Sequence, residues 1–301
     1  MAETKINPTL EFAFLALLAT FWGSSYLFIK IAVETIPPVT LIAARVSVAA
    51  LILSAIVAWQ GNRLPADWRT WRSLFVQAAV SSVCAWTLLA WGQQHVDSGL
   101  ASVLNSTSPL FVFFIALLIT RHEPMTGLKL LGACLGIVGV TLIVGVEALH
   151  GLGQQVVAQL AILLSAVLYA VAAIYGKRFS NLPPTVTATG TMVWASACLI
   201  PLSLVLERPW TLQPSAVSIA AAAVLAVFCT GGALLIYFRL IRTLGSMGVA
   251  SQSYLRAGVG VLLGVVVLGE TISLVVGLGL AAAMLGVVAI NVPRRSETKR
   301  S

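Results

Sequence analysis

The feature that most constrains this chain is its succession of apolar segments, each about as long as a helix needs to cross a membrane. A helix that crosses the roughly 30 Å hydrocarbon layer of a bilayer needs about 20 residues. The 301 residues are 59% hydrophobic and 9% charged, whereas about a quarter of the residues of a soluble domain are charged. The sequence therefore predicts an all-α integral membrane protein.

Turn and charge signals divide the chain into predicted membrane spans. Pro37-Pro38 and Pro183-Pro184 disfavour helix just before them, and loops such as "QGNRLPADWR" and "TRHEPMTG" carry polar residues between apolar runs. Ten transmembrane helices are predicted, at residues 11–31, 38–59, 73–95, 98–120, 127–146, 156–176, 184–206, 215–241, 246–268 and 272–291.

The distribution of Lys and Arg predicts the orientation of these spans. Of the 18 basic residues, fourteen lie in the N-terminal segment, in the loops after the even-numbered spans or in the C-terminal segment. Cytoplasmic loops are enriched in Lys and Arg, so both termini are expected in the cytoplasm. The formal charge of +8 is explained by this bias, and basic residues scattered between apolar runs do not indicate nucleic-acid binding.

A shift of 147 residues aligns the second half of the chain with the first. The pairs that match are Trp22 and Tyr169, Lys30 and Lys177, Pro37 and Pro184, Asn105 and Gln252, Glu123 and Glu270, Gly132 and Gly279, and Gly139 and Gly286. Each half has an odd number of predicted spans, so the second half must enter the membrane from the opposite side. The sequence thus predicts two inverted five-helix repeats, residues 1–147 and 148–301, with a substrate site near the midplane between them.

Two stretches of the chain resemble a known family. "FWGSSYLFIKIAVETIPPVTLIAARVSVAAL" and "LGETISLVVGLGLAAAMLGVVAI" resemble the two halves of EamA-type carriers of the drug/metabolite transporter superfamily. The chain is also similar to the YddG-type aromatic amino acid exporters of that superfamily. The resemblance implies a ten-helix inner-membrane efflux carrier of amino acids and related small metabolites.

The chain departs from the family pattern at two positions. The family's Pro partway along the ninth helix is replaced by Arg256, whereas the fourth helix keeps its Pro as Pro109. The Trp that usually opens the sixth helix is Tyr169. A kink in the fourth helix is therefore expected, but a matching kink in the ninth is not assured.

Groups that catalyse reactions or bind metals avoid the middle of the predicted spans. The three His and ten acidic residues all lie near span ends or in loops. Metal sites and buried proton relays need such groups at membrane depth, and intramembrane proteases need a nucleophile with a base or a His-Glu-x-x-His motif. We therefore expect neither an enzyme nor a metal or other cofactor, and we expect facilitated diffusion or weak ion coupling.

Arg256 lies in "SYLRAGVGV", about ten residues from either end of an apolar span. A guanidinium at that depth is costly and usually functional, and its planar set of donors suits a carboxylate. Binding of backbone carbonyls, or extension along a lumen, is the alternative role. Gln252 lies one turn earlier on the same face, and its repeat partner Asn105 would line the opposite wall.

Other polar and aromatic residues within the spans receive different interpretations. Trp86 and Tyr237 belong to the third and eighth helices, which the family resemblance places around the cavity, so both are expected to line it. Arg45 lies close enough to a span end to extend to the interface, which favours a structural role. Lys30 and Lys177 fit gating or helix-end anchoring.

The sequence thus predicts an exporter of amino acids, aromatic ones included, that works by alternating access as a monomer or homodimer in the bilayer. The predicted substrate-binding residues are Arg256, Gln252, Asn105, Trp86 and Tyr237. The alternative is a multidrug or organic-cation exporter of the same fold. The two alternatives differ in the charge of the cargo that they require, since Arg256 in a cavity attracts carboxylates and repels cations. A channel is a third alternative, disfavoured by the inverted repeat.

Overall fold

The computed structural model describes residues 8–115, 127–149, 154–237, 239–240, 243 and 252–291. These residues form helices and turns, without a strand among them. The helices are α1 Pro8–Ala32, α2 Pro38–Trp59, α3 Trp68–Gly92, α4 Ser98–Ile115, α5 Gly127–Leu149, α6 Gln154–Gly176, α7 Pro184–Leu206, α8 Ala216–Tyr237, α9 Gln252–Leu268 and α10 Leu274–Asn291.

Seven described helices, α1 to α4 and α6 to α8, are long and apolar enough to cross a bilayer. Shorter apolar stretches lie in α5, α9 and α10, at Leu130–Gly139, Leu255–Leu268 and Gly277–Gly286. The all-α prediction is confirmed for the described residues. The predicted end of the fourth span, the start of the ninth and the last residues of the eighth fall outside them.

Capping and proline chemistry fix where several helices begin. Pro38 and Pro184 open α2 and α7 at a position where no N–H is needed, because first-turn N–H groups have no acceptor within the helix. The Asp67 side chain accepts the Thr70 N–H at 2.7 Å and starts α3 at Trp68. The predicted start at residue 73 was wrong because the first turn of α3 is polar.

Pro109 interrupts α4, as expected from the retained family proline. Two turn residues, Ser106 and Thr107, separate the helical segments Ser98–Asn105 and Ser108–Ile115. Pro disfavours the α conformation in the residue before it and crowds the carbonyl four residues earlier. By contrast, α9 continues without a break through Arg256.

Two helices contain a wider turn that the sequence did not reveal. The π-helical segments are Ala79–Cys84 in α3 and Val227–Gly232 in α8, at equivalent positions within one residue of the 147-residue offset. One extra residue in a turn leaves an entirely apolar pattern unchanged, so hydropathy cannot show it. Single π turns are frequent at functional sites because they reorient the side chains around them.

Small residues allow α5 and α10 to approach closely, and the contacts are reciprocal. A Cβ atom at Gly139 would lie 2.6 Å from the carbonyl oxygen of Gly279, and one at Gly286 would lie 2.5 Å from that of Gly132. Each of these pairs joins positions that exchange under the 147-residue offset. These small-residue faces thus serve helix packing, because they let the two backbones approach closely.

The small residues of α9 pack against α4 within the same chain. A Cβ atom at Gly260 would lie 2.5 Å from the Ser102 Cβ, and Gly264 lies against the Glu270 carboxylate and the Ser98 hydroxyl. Helix α1 packs between α8 and α9, and α2 between α7 and α8. Helix α6 contacts both α3 and α4. These contacts bring the middle of α1, α2, α3, α4, α6, α8 and α9 around a common interior.

Candidate functional site

Polar and aromatic side chains from seven helices meet in the interior of the bundle, far from most helix ends. We call this group the central cluster, and its members are Tyr26, Arg45, Trp86, Asn105, Tyr169, Thr230 and Arg256. Polar groups within membrane-spanning helices are costly and are usually functional.

Arg45 of α2 is turned into the cluster and is only 6% exposed. Its Nε donates a hydrogen bond to the Thr230 Oγ1 at 2.7 Å, and its guanidinium carbon lies 4.1 Å from the centre of the Trp86 ring. This cation–π contact and hydrogen bond hold the guanidinium inside the bundle. The expectation that Arg45 extends to the interface was wrong, because seven residues of helix place it below the surface and its partners face inward.

The π-helical segment of α8 orients the Thr230 hydroxyl as a hydrogen-bond acceptor for Arg45. The Thr230 hydroxyl donates its own hydrogen to the Leu225 carbonyl, five residues earlier, at 2.9 Å. With its hydrogen engaged, the hydroxyl presents only lone pairs to the guanidinium. The wider turn thus converts Thr230 into an oriented acceptor.

Tyr169 of α6 lies within electrostatic range of both arginines of the cluster. Its hydroxyl also lies near the Trp86 indole and within electrostatic range of Tyr26. Tyr169 stands where the resembling family has Trp. The departure from the family pattern thus places a phenolic hydroxyl, in place of an indole, near the two guanidinium groups.

Asn105 ends the first segment of α4 and is 2% exposed. Its Nδ2 donates to the Tyr26 hydroxyl at 2.9 Å, whereas its Oδ1 accepts no hydrogen bond from any described residue. A buried carbonyl oxygen without a partner is unfavourable unless water or a ligand supplies a donor. Asn105 therefore offers one acceptor to the interior.

Arg256 of α9 is half-buried, and its Nε is buried without a hydrogen-bond partner in the described part of the chain. Contacts between α4 and α9 pair Gly99 with Val261 and Ser102 with Ala257, so the two helices run antiparallel. One further turn along each helix brings Asn105 opposite residues 253–254, within one turn of Arg256. An unpaired guanidinium nitrogen and an unpaired amide oxygen therefore belong to neighbouring turns of α9 and α4.

The other predicted site residues have different surroundings. Trp86 joins the cluster directly through Arg45 and Tyr169, as described above. Tyr237 is half-buried and packs against Trp22, with ring centroids 5.4 Å apart. Gln252 is the first described residue of α9, but its side chain lies outside the described part of the structure.

The cluster includes residues whose roles the sequence interpretation missed. Arg45 was assigned a structural role, Tyr169 was noted only as a repeat partner and a departure from the family pattern, and Tyr26 was given no role. Thr230 was not singled out, although it is a hydroxyl residue beside Gly231-Gly232 in the middle of an apolar span. A polar residue next to helix-loosening glycines was the signal that could have found it.

Two carboxylates that lie away from the cluster, those of Glu207 and Glu270, cap the starts of helices. Glu207 accepts hydrogen bonds from the Val39 and Thr40 N–H groups at 3.0 and 2.6 Å, and so caps α2. Glu270 accepts from the Ser98 and Gly99 N–H groups at 2.6 and 2.9 Å, and so caps α4. Anionic groups are stabilised at helix N-termini, where free N–H groups point outward.

One further carboxylate, Glu11 of α1, binds at the end of α8. It accepts from the Arg239 Nη2 and the Thr243 hydroxyl, each at 2.8 Å. Lys30 donates to the Val96 carbonyl at 2.9 Å and so joins α1 to the turn before α4. This contact fits the predicted anchoring role of Lys30.

Several known proteins resemble this chain, over shares that range from less than half to nearly all of its length. It is 27% identical over 282 residues to "Uncharacterized inner membrane transporter YedA" of Escherichia coli K12, covering 93% of this chain and 90% of that protein. It is 25% identical over 197 residues to "Uncharacterized transporter YoaV" of Bacillus subtilis, covering 64% and 67% of the two chains. "Protein PagO" of Salmonella typhimurium is 30% identical over 128 residues, covering 42% and 41%.

A crystal structure of another protein has a similar fold. It superposes with a TM-score of 0.63 at 20% sequence identity and covers 94% of this chain and 96% of that one. The sequence profile of the EamA-like transporter family matches twice, at residues 10–145 and 156–292. Because these two matches account for most of the chain, the protein belongs to the EamA-like transporter family and is a multi-pass helical membrane transporter.

Proposed function

We propose that the protein exports amino acids, aromatic ones included, and related small metabolites across the bacterial inner membrane by alternating access. Membership of the EamA-like family supports transport, and one relative is named as an inner membrane transporter. The names of these relatives specify no cargo. The cargo is therefore inferred from the chemistry of the central cluster.

The observation that carries this proposal is the buried Arg256 Nε, which has no hydrogen-bond partner among the described residues. Removing a guanidinium from water is costly unless an anion and hydrogen-bond acceptors compensate. A carboxylate meets both needs, because its two oxygens match adjacent N–H groups of the guanidinium. The amino acid carboxylate is assigned to Arg256, and Asn105, within one turn of it, offers an unpaired acceptor for the ammonium group.

Aromatic residues supply the apolar part of such a site. Trp86, Tyr26 and Tyr169 belong to the cluster. Tyr237 packs on Trp22. Trp22 lies one turn before Tyr26 in α1, and Tyr237 lies two turns after Thr230 in α8. Small-molecule sites are usually apolar walls with a few placed polar groups. Trp86, Tyr237 and, from the sequence alone, Gln252 complete the proposed binding set.

The proposed architecture has ten spans in two inverted repeats, residues 1–147 and 148–301, with both termini in the cytoplasm. The family profile matches once in each half. The reciprocal glycine contacts of α5 with α10, and the matching π-helical segments of α3 and α8, follow the same offset. Inverted repeats place substrate sites near the midplane and allow access to alternate between sides.

The alternative cargo is an organic cation or a drug. Two guanidinium groups lie within electrostatic range of the Tyr169 hydroxyl, whereas the carboxylates of Glu207 and Glu270 are bound at helix ends. Such a cluster repels cations, which favours anionic or zwitterionic cargo. The protein is proposed to act as a monomer or homodimer in the lipid bilayer, without a nucleic-acid partner.

Reconstituted counterflow with a panel of labelled amino acids tests the proposal. The Arg256→Gln variant should lose about 100-fold in kcat/KM for amino acids, because a charge-assisted pair of hydrogen bonds is lost. The matched control is Arg178→Gln, which removes an arginine that stacks on Tyr175 outside the cluster. The proposal fails if no amino acid saturably exchanges, if Arg256→Gln transports as well as the control, or if only organic cations exchange.

A further inference from the structure

Arg45 is held in an orientation that leaves one edge of its guanidinium available. Within the described part of the chain, the Arg45 Nε donates a hydrogen bond to the Thr230 hydroxyl. The Trp86 ring covers one face of the guanidinium plane. The two terminal nitrogens, Nη1 and Nη2, form the remaining edge, and a carboxylate can bind such an edge with both oxygens.

Arg256 presents a different edge of its guanidinium to the same interior. Its Nε is the atom that is buried without a partner among the described residues, so the side edge formed by Nε and one Nη is open. The Tyr169 hydroxyl lies within electrostatic range of both arginines, so the two guanidinium groups belong to the same interior. Two carboxylate-binding edges thus face one interior from α2 and α9.

The charges of these two arginines are not balanced within the described part of the chain. There, the ion pair at contact distance joins Glu11 to Arg239, whereas Glu207 and Glu270 are bound by backbone N–H groups at helix ends. Two like charges in a low-dielectric interior repel each other, and each also loses hydration. A cargo with a single carboxylate compensates only one of them.

We propose that Arg45, oriented by Trp86 and Thr230, forms a second anion subsite, and that the preferred cargo carries two carboxylates, as a dicarboxylic amino acid does. This inference rests on the proposed amino acid export. One carboxylate binds the side edge of Arg256, and the other binds the terminal edge of Arg45. The ammonium group of the amino acid is directed to the unpaired Asn105 Oδ1.

Tyr169 lies within electrostatic range of both arginines, which indicates that the two subsites share one interior. Its hydroxyl is a neutral group that can donate a hydrogen bond to a bound carboxylate. We expect compact dicarboxylates, such as aspartate and glutamate, to bind both subsites. Neutral amino acids, aromatic ones included, bind at Arg256 alone and are carried less efficiently.

The test compares counterflow of labelled L-glutamate, L-aspartate, succinate, L-phenylalanine and L-leucine in liposomes that contain the purified protein. The unaltered protein should favour glutamate over phenylalanine in kcat/KM by about tenfold or more, as one charge-assisted contact provides. Arg45→Gln should lower this ratio by about tenfold, because the second carboxylate loses its partner. Arg45→Lys keeps the charge without the planar fork and should fall between the two.

The Arg178→Gln variant serves again as the matched control and should keep the selectivity ratio of the unaltered protein. A ratio near one in the unaltered protein overturns the inference, and so does an Arg45→Gln variant that lowers glutamate and phenylalanine transport equally. If Arg45→Gln does not fold, the ratio in the unaltered protein and in Arg45→Lys decides.

Failure of the proposed function has a different signature. If no amino acid exchanges but succinate does, and Arg45→Gln lowers succinate exchange by about tenfold, the second anion subsite stands while amino acid export is wrong. If neutral and dicarboxylic amino acids exchange equally and both depend on Arg256, export stands while the second subsite is wrong.

Discussion

Charged groups at the helix ends of this protein have different hydrogen-bond partners from those in its middle. At the ends, Glu207 and Glu270 each accept two backbone N–H groups, and Glu11 binds both Arg239 and Thr243. In the middle, the Arg256 Nε and the Asn105 Oδ1 have no partner among the described residues. The three carboxylates at the ends are satisfied by the protein itself, whereas these two groups in the middle are not.

The difference shows which polar groups stabilise the fold and which are reserved for a ligand. A satisfied carboxylate that joins two helices lowers the free energy of the folded state. An unsatisfied buried cation raises it, and such a group persists only where a function requires it. Substitutions at the ends should therefore affect stability, and substitutions in the middle should affect transport.

The largest expected effect is at Arg256. Replacement by Leu should reduce transport of amino acids by about 100-fold, yet the unfolding temperature should stay the same or rise, because an uncompensated buried charge is removed. Counterflow rates and thermal unfolding of the purified protein measure the two effects. A clear fall in unfolding temperature would show that Arg256 is structural and would remove the contrast between middle and ends.

The next largest effect is expected at Glu207. Its carboxylate accepts the Val39 and Thr40 N–H groups and also the Thr40 hydroxyl, the last at 2.6 Å. Glu207→Ala should lower the free energy of unfolding by about 2 to 3 kcal/mol and the unfolding temperature by about 5 °C. Glu34→Ala, which removes an exposed carboxylate, is the matched control. Equal unfolding temperatures for the two variants would contradict a stabilising role for this cap.

A smaller effect is expected at Gln60, which corresponds to Glu207 under the 147-residue offset. Its Oε1 accepts the Thr185 hydroxyl at 3.2 Å near the start of α7. This bond is long and uncharged, so Gln60→Ala should lower the unfolding temperature by only about 1 °C. Thermal unfolding beside the Glu207 variant tests whether charge, rather than position in the repeat, determines the stabilisation. A fall as large as that of Glu207→Ala would refute it.

The smallest effect concerns Asp97, an exposed carboxyl at the turn before α4. Partial burial raises its pKa above the usual value, and the nearby Glu270 carboxylate adds to the shift, whereas Lys30 opposes it. The folded state therefore binds the proton more tightly than the unfolded chain. Stability should fall as the pH rises from the ordinary carboxyl pKa to the raised one, and should remain lower above it.

The Asp97→Asn variant lacks the carboxyl and should not lose stability in this way as the pH rises. Asn is an equally good residue at a helix N-cap. The variant should unfold about 1 °C higher than the unaltered protein near pH 7, since the exposed charge is screened by solvent. Near pH 3, where Asp97 is protonated, the two should unfold at the same temperature. Thermal unfolding at both pH values measures this difference. A lower unfolding temperature for the variant at neutral pH would show that the Asp97 charge stabilises the folded state, contrary to the prediction.

Much of the fold followed from the sequence because membrane helices obey a simple rule of length and polarity. The helices α2 Pro38–Trp59 and α7 Pro184–Leu206 begin and end at the predicted residues, since prolines mark their starts. The start of α3 was missed because a capping Asp67 begins it with a polar turn. The π-helical segments were missed because a wider turn changes backbone geometry without changing composition.

The candidate site was predictable only in part. Arg256 was proposed because a charged residue deep in an apolar span is conspicuous, and Asn105 was proposed as the repeat partner of Gln252. Arg45 was misjudged because distance along a helix says nothing of the direction in which a side chain points. Its partners Trp86 and Thr230 come from α3 and α8, and only the packing of these helices brings them together.

A double-mutant cycle between Arg256 and the cargo carboxylate tests the central claim most directly. Competition with labelled substrate would compare an amino acid with its carboxamide, in the unaltered protein and in Arg256→Gln. The account predicts that the unaltered protein prefers the acid by about 30-fold and that the variant has no preference, a coupling of about 2 kcal/mol. An equal preference for acid over carboxamide in both proteins would contradict it.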